Sequence, residues 1–151
     1  MSKDRSCERL AIKLSPMAAT QRPSFRRSAL LLILLVPTSG CDLCGNEVLD
    51  RYRAPDNSVE VVVFQRDCGA TTGFSTQASI GEINAGTGNE GGNIFTATTD
   101  HGAAPAGKGG GPELRVRWID NRTVELAHQR AAVVWKRTEH RGISIRYVTF
   151  E

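Results

Sequence analysis

The stretch Val59–Arg66, VEVVVFQR, is apolar on both of its alternating faces, with β-branched residues at four of its eight positions. A run of that length is too short for a buried helix, and its β-branched content suits a strand covered on both sides. The cluster Ala54-Pro55-Asp56-Asn57 stands before it as a turn. Working outward, Phe74–Ile80 alternates: Phe74, Thr76, Ala78 and Ile80 on one side, Ser75, Gln77 and Ser79 on the other. Ile94–Ala97 is a short third candidate. A hairpin follows, with Leu114, Val116 and Trp118 opposite Arg115 and Arg117, a tight turn at Asp120-Asn121, and a return over Thr123–Ala127 with Val124 and Leu126 inward. Val133–Lys136 and Ile143–Val148 complete the set, joined through His140-Arg141-Gly142.

About seven short strands separated by turns, with no periodicity of 3.6 after residue 40, predict a mainly β domain. The expected architecture is a single antiparallel meander, curled into a sandwich or open barrel. Its expected core is Val61, Val63, Phe64, Phe74, Ile80, Val116, Trp118, Leu126, Trp135 and Ile145. Residues 81–112 hold ten of the fifteen glycines, in tracts around Gly86-Thr87-Gly88 and Gly107-Lys108-Gly109-Gly110-Gly111. They read as two long mobile hairpin loops at one end of the sheet, or as a binding lip on a rigid scaffold.

Upstream, Arg26–Cys41 reads RRSALLLILLVPTSGC, which has the three parts of an export signal: basic residues, an apolar run over 29–36, and small residues before a cut. The run falls short of the roughly 20 apolar residues that span a bilayer, and Pro37 ends it. Ser39-Gly40-Cys41 resembles the lipobox of bacterial lipoproteins, with Thr38 where that motif usually carries leucine. The resemblance implies that Cys41 is lipidated and becomes the mature N-terminus. Asp42 just after it favours inner-membrane retention in some bacteria. The alternative is cleavage without lipid, giving a soluble periplasmic protein. The reading divides the chain into a signal segment, 1–40, and one β domain, 41–151. The segment before Arg26 is long, and Met17 is a second candidate start.

Processing changes the charge. Residues 1–40 carry seven Lys/Arg and two Asp/Glu, whereas residues 41–151 carry twelve and fourteen. The formal +3 of the whole chain therefore belongs to the leader, and the mature domain has no basic excess to condense on phosphates. Nucleic acid is excluded as a partner. The expected contacts are the membrane, through lipid at Cys41, and an envelope protein or glycan.

Cys7 leaves with the leader and Cys41 takes the lipid, so Cys44 and Cys68 remain in an oxidising compartment where disulfides persist. The competing pattern is Cys41-Asp42-Leu43-Cys44, a CxxC with neither a second pair nor a histidine at ligand spacing. No metal or cofactor is expected. Gly102–Lys108 has P-loop spacing, but Gly109 stands where a hydroxyl must reach magnesium and no helix follows. His101, His128 and His140 are far apart and read as exposed or half-exposed.

The string Arg66–Gln77, RDCGATTGFSTQ, is the most distinctive in the domain. With Cys44-Gly45-Asn46-Glu47, Asp100-His101-Gly102 and Arg115-Val116-Arg117-Trp118, it resembles a family of small uncharacterised bacterial envelope proteins. The resemblance implies a secreted or lipid-anchored β domain and brings no activity with it. Two roles for Cys68 follow from the residues: a bridge to Cys44, or a reduced nucleophile with His101 as base and Asp100 orienting it. The functional expectation is a non-catalytic binding or structural module. A small thiol hydrolase built on Cys68, His101 and Asp100 is the alternative.

Overall fold

A computed structural model describes residues 44–69 and 71–151; the export segment, Cys41 and its neighbours lie outside the described residues. The first strand, β1 (Gly45–Arg53), pairs with β2 (Glu60–Asp67), and antiparallel pairing continues through β3 (Ser75–Gly81) and β4 (Phe95–Thr98). The chain then enters a second sheet as the hairpin of β5 (Leu114–Asp120) and β6 (Thr123–Gln129). It returns as β7 (Val133–Lys136) beside β4, and crosses back as β8 (Glu139–His140) and β9 (Ile143–Phe150). The result is a five-stranded sheet, β1-β2-β3-β4-β7, and a four-stranded sheet, β5-β6-β9-β8. Every regular element among the described residues is a strand, so the domain is mainly β.

A sheet with one apolar face must bury it, and here the two inner faces bury each other. Val61, Val63, Ala78, Ile80, Phe95 and Ala97 from the first sheet meet Val124, Leu126, Ile143 and Ile145 from the second. Two polar ties cross the layers. Trp118 Nε1 donates to the Tyr52 carbonyl at 2.9 Å, and the Tyr147 hydroxyl lies 2.8 Å from the Ile94 carbonyl and 2.9 Å from that of Arg137. Burial pushes the Tyr147 phenol up to about 12, so it stays a neutral donor.

The outer face of β2 is buried as well, which is why VEVVVFQR lacks a polar side. Val62 and Phe64 point away from the second sheet, yet both are buried. The first glycine-rich tract, residues 82–93, lies over them as a third layer. Three arginines from the sheet hold it. Arg51 donates to the Ala85 carbonyl (3.2 Å), Arg53 to Asn84 Oδ1 (3.2 Å) and Arg66 to the Asn89 carbonyl (2.7 Å). Asn46 reaches the carbonyls of Gly88 and Glu90, and Gln77 Oε1 accepts from the Gly92 amide at 2.6 Å. Contact is so close at Gly92 that a Cβ there would stand 2.8 Å from the Ala78 carbonyl oxygen.

Glu60, fully buried, anchors the start of this layer. Its Oε1 pairs with the Arg51 guanidinium and accepts from the Asn84 amide at 2.9 Å; its Oε2 has no hydrogen-bond partner among the described residues. Removing the cation from such a pair leaves a buried charge without compensation.

The structure departs from the sequence reading in five places. β1 was absent from the expected strands because a bulge at Leu49, between Val48 and Asp50, breaks its alternation. The meander holds only through β4. β6 and β9 run parallel, since β7 and β8 carry the chain to the other sheet and back between them. Val133–Lys136 and the last strand therefore belong to different sheets, and β8 is the hairpin partner of β9, through a turn in which Arg141 and Gly142 have φ of 52° and 74°. The β5–β6 turn is Asn121-Arg122, neither with positive φ; a bulge at Ile119 and the Arg122 amide donating to Asp120 Oδ1 close it instead. Phe74 and Trp135 are not core: they are 44% and 48% exposed, Phe74 just before β3 and Trp135 on the outer face of an edge strand.

Replacing Arg51 with leucine should cost about 3–5 kcal/mol in denaturant unfolding. Replacing both partners, Arg51→Leu with Glu60→Leu, should recover most of that loss. A loss below about 1 kcal/mol for the single change would show that the pair does not hold the layer.

Candidate functional site

Cys44 and Cys68 continue the β1–β2 register by one step beyond Gly45 and Asp67, and their sulfurs form a disulfide. The bridge spans 24 residues. In the chain-entropy account a loop of that size contributes about 3–4 kcal/mol. The turn that follows is hydrogen-bonded, with Asp67 Oδ1 accepting from the Gly69 amide and Thr72 donating through N and Oγ1 to the Gly69 carbonyl. With its sulfur in the bridge, Cys68 carries no free thiol in this structure. Cys44 is likewise committed to Cys68 rather than to a CxxC with Cys41.

His101 and Asp100 lie elsewhere, in the tight loop after β4, with φ of 55° and 48°. The Gly102 and Ala104 amides both donate to the Thr99 carbonyl, which fixes the loop. The two side chains border a shallow groove of about 310 Å³ with Gly73, Phe74, Thr98, Thr99 and Val133. Two of the distinctive sequence strings thus meet there, but Cys68 does not line the groove. Among the described residues no three His, Cys, Asp or Glu side chains cluster as a metal site.

His128 differs from the expected exposed state. It is 3% exposed on the inner face of β6, with Nδ1 at 2.9 Å from the Gln129 carbonyl and Nε2 at 3.4 Å from Lys136 Nζ. A carbonyl can only accept, so Nδ1 carries the proton and Nε2 accepts from the ammonium. The contact is structural, since Phe95 packs beside the ring at 5.7 Å between centroids.

A cleft of about 400 Å³ opens where the edges of the two sheets face each other. Leu49, Tyr52 and Val63 from the first sheet and Leu114 and Val116 from the second give it an apolar floor. Asp50, Lys108, Glu113 and Arg115 form a charged rim. The second glycine-rich tract makes its lip. A Cβ at Gly111 would lie 2.5 Å from the Thr76 amide nitrogen, so only glycine lets this segment press onto β3. Thr76 Oγ1 donates to the Pro112 carbonyl at 2.6 Å, and Lys108 Nζ donates to the Leu49 carbonyl at 2.9 Å. The lysine of the false P-loop therefore fastens the lip to β1. Both glycine tracts lie against the sheet rather than standing off as free loops.

The glycine tract stands out in the sequence, and the cleft it borders does not. Its floor comes from positions between 49 and 116 that no local pattern links. The strand carrying Leu49 and Tyr52 was itself hidden by the bulge. An apolar floor with a few charged groups at its rim suits binding.

His140 supplies a pH-dependent observable. Burial, then the charges of Arg137 and Arg141, hold its imidazole below the usual histidine range. Below about pH 6.5 the unfolded chain takes up a proton that the folded state resists, so stability falls as the pH drops through that value. His140→Asn should flatten the change in unfolding free energy between about pH 7 and 5; an unaltered slope would remove this residue as its source.

No protein-family model, no curated protein and no solved structure matches the chain, and the chemistry of its cleft is read from its own residues.

Proposed function

We propose that the chain is exported, anchored to a membrane by lipid on Cys41, and works in the bacterial cell envelope as a non-catalytic module that binds a partner through the cleft between β1 and β5. The Cys44–Cys68 bridge is the observation that carries this reading. Such bonds persist outside the cytoplasm, and this one occupies the sulfur that a thiol enzyme would need. The export segment ending at Cys41 supports it independently. The cleft adds a rigid, apolar-floored surface with a charged rim, the kind of concavity that recognises a ligand without transforming it.

Labelled palmitate fed to producing cells should enter the wild-type protein and not the Cys41→Ala variant. Label in both would mean that the cut site is misplaced. In the same preparations, denatured but unreduced protein should show no reactive thiol at Cys44 or Cys68. Free thiol at Cys68 in the envelope-derived protein would reopen the enzyme. Loss of the bridge through Cys68→Ser should lower unfolding stability by about 3–4 kcal/mol.

A further inference from the structure

The two sheets end in four strand edges. β7 is four residues long, and β8, two residues long, leaves most of β9 unpaired on that side. β1 is long, but Lys108 Nζ and Trp118 Nε1 cap its Leu49 and Tyr52 carbonyls. β5 is seven residues long and pairs only with β6, and unlike the open part of β9 it borders the cleft. Among the described residues no hydrogen bond reaches the backbone groups along its open side. A long unpaired edge is a template for another strand, and folded proteins ordinarily cover it.

The side chains along β5 specify what such a strand would carry. Leu114 and Val116 face inward and line the cleft, while Arg115 and Arg117 face outward and are exposed. Arg115 Nε bonds Glu113 at 2.7 Å and its guanidinium lies 4.0 Å over the Phe150 ring, while Arg117 Nη2 bonds Glu125 at 2.8 Å. Arginine has five N–H donors, so several on each remain for a further acceptor. A strand laid against β5 would place alternate side chains over the cleft and the others beside the two arginines.

We infer that the cleft is a β-augmentation site whose occupant is an extended peptide segment of a partner protein, alternating apolar with acidic residues. The peptide adds to the four-stranded sheet beside β5. Its backbone takes up the free amides and carbonyls, its apolar side chains enter the cleft, and its carboxylates pair with Arg115 and Arg117. The inference rests on the proposed binding role of the same cleft and names the class of its ligand.

The test titrates the full chain, held in mild detergent, with an acetylated and amidated heptapeptide of alternating glutamate and valine. Hydrogen exchange should slow at alternate β5 amides, those not already bonded to β6. The same peptide N-methylated on every second amide, which removes the donors, should bind at least tenfold more weakly. The exposed pair Arg115→Glu with Arg117→Glu should weaken the acidic peptide at least tenfold and favour its lysine counterpart. Equal binding of the N-methylated peptide, or unchanged exchange in β5, would overturn the inference. A glycan bound in the cleft without peptide binding would also overturn it, while leaving the binding module intact. Peptide binding by a chain that takes no palmitate would uphold the inference and sink the lipid anchor.

Discussion

β2 is buried on both faces, and the rest of the domain can be derived from what covers each of them. Toward the second sheet, Val61 and Val63 join the apolar layer that keeps the sheets together. On the other side, Val62 and Phe64 would face water if residues 82–93 did not lie over them. That segment has few large side chains, so it cannot be held there by apolar packing. Guanidinium and amide groups on the sheet hold its carbonyls instead, and glycine permits the approach. The arginines of β1 and β2 thus hold the backbone and side chains of this layer with their guanidinium groups.

The covering of β2 also explains the uneven chemistry of the surface. β1 lies outside β2, and its edge is tied down at one end by the disulfide and further along by Lys108 and Trp118. Of these ties only Trp118 joins β1 to β5, and it leaves the space between them open. The gap is the cleft, floored by core residues that the facing edges leave partly uncovered.

The bridge and the ion pair stabilise in different ways. The disulfide acts mainly on the unfolded chain, by closing a loop that would otherwise be free. Arg51–Glu60 acts in the folded state, where each charge offsets the desolvation of the other. Both lie on the β1–β2 pair.

Period-two alternation, the two-sided apolar run at Val59–Arg66 and the pairing of Cys44 with Cys68 were legible in the linear chain, because each depends on neighbours or on parity. So were the glycine tracts, though not their use. Which strands share a sheet was not legible. Val133–Lys136 and Ile143–Phe150 carry similar local patterns, yet they pack in different sheets because inner faces must be covered across the whole domain. The bulge at Leu49 concealed β1, and with it one wall of the cleft. Phe74 and Trp135 look like core by composition and are exposed, since their burial depends on what lies opposite. Local chemistry selects strand and turn; only the closing of one sheet on another decides which edge remains open.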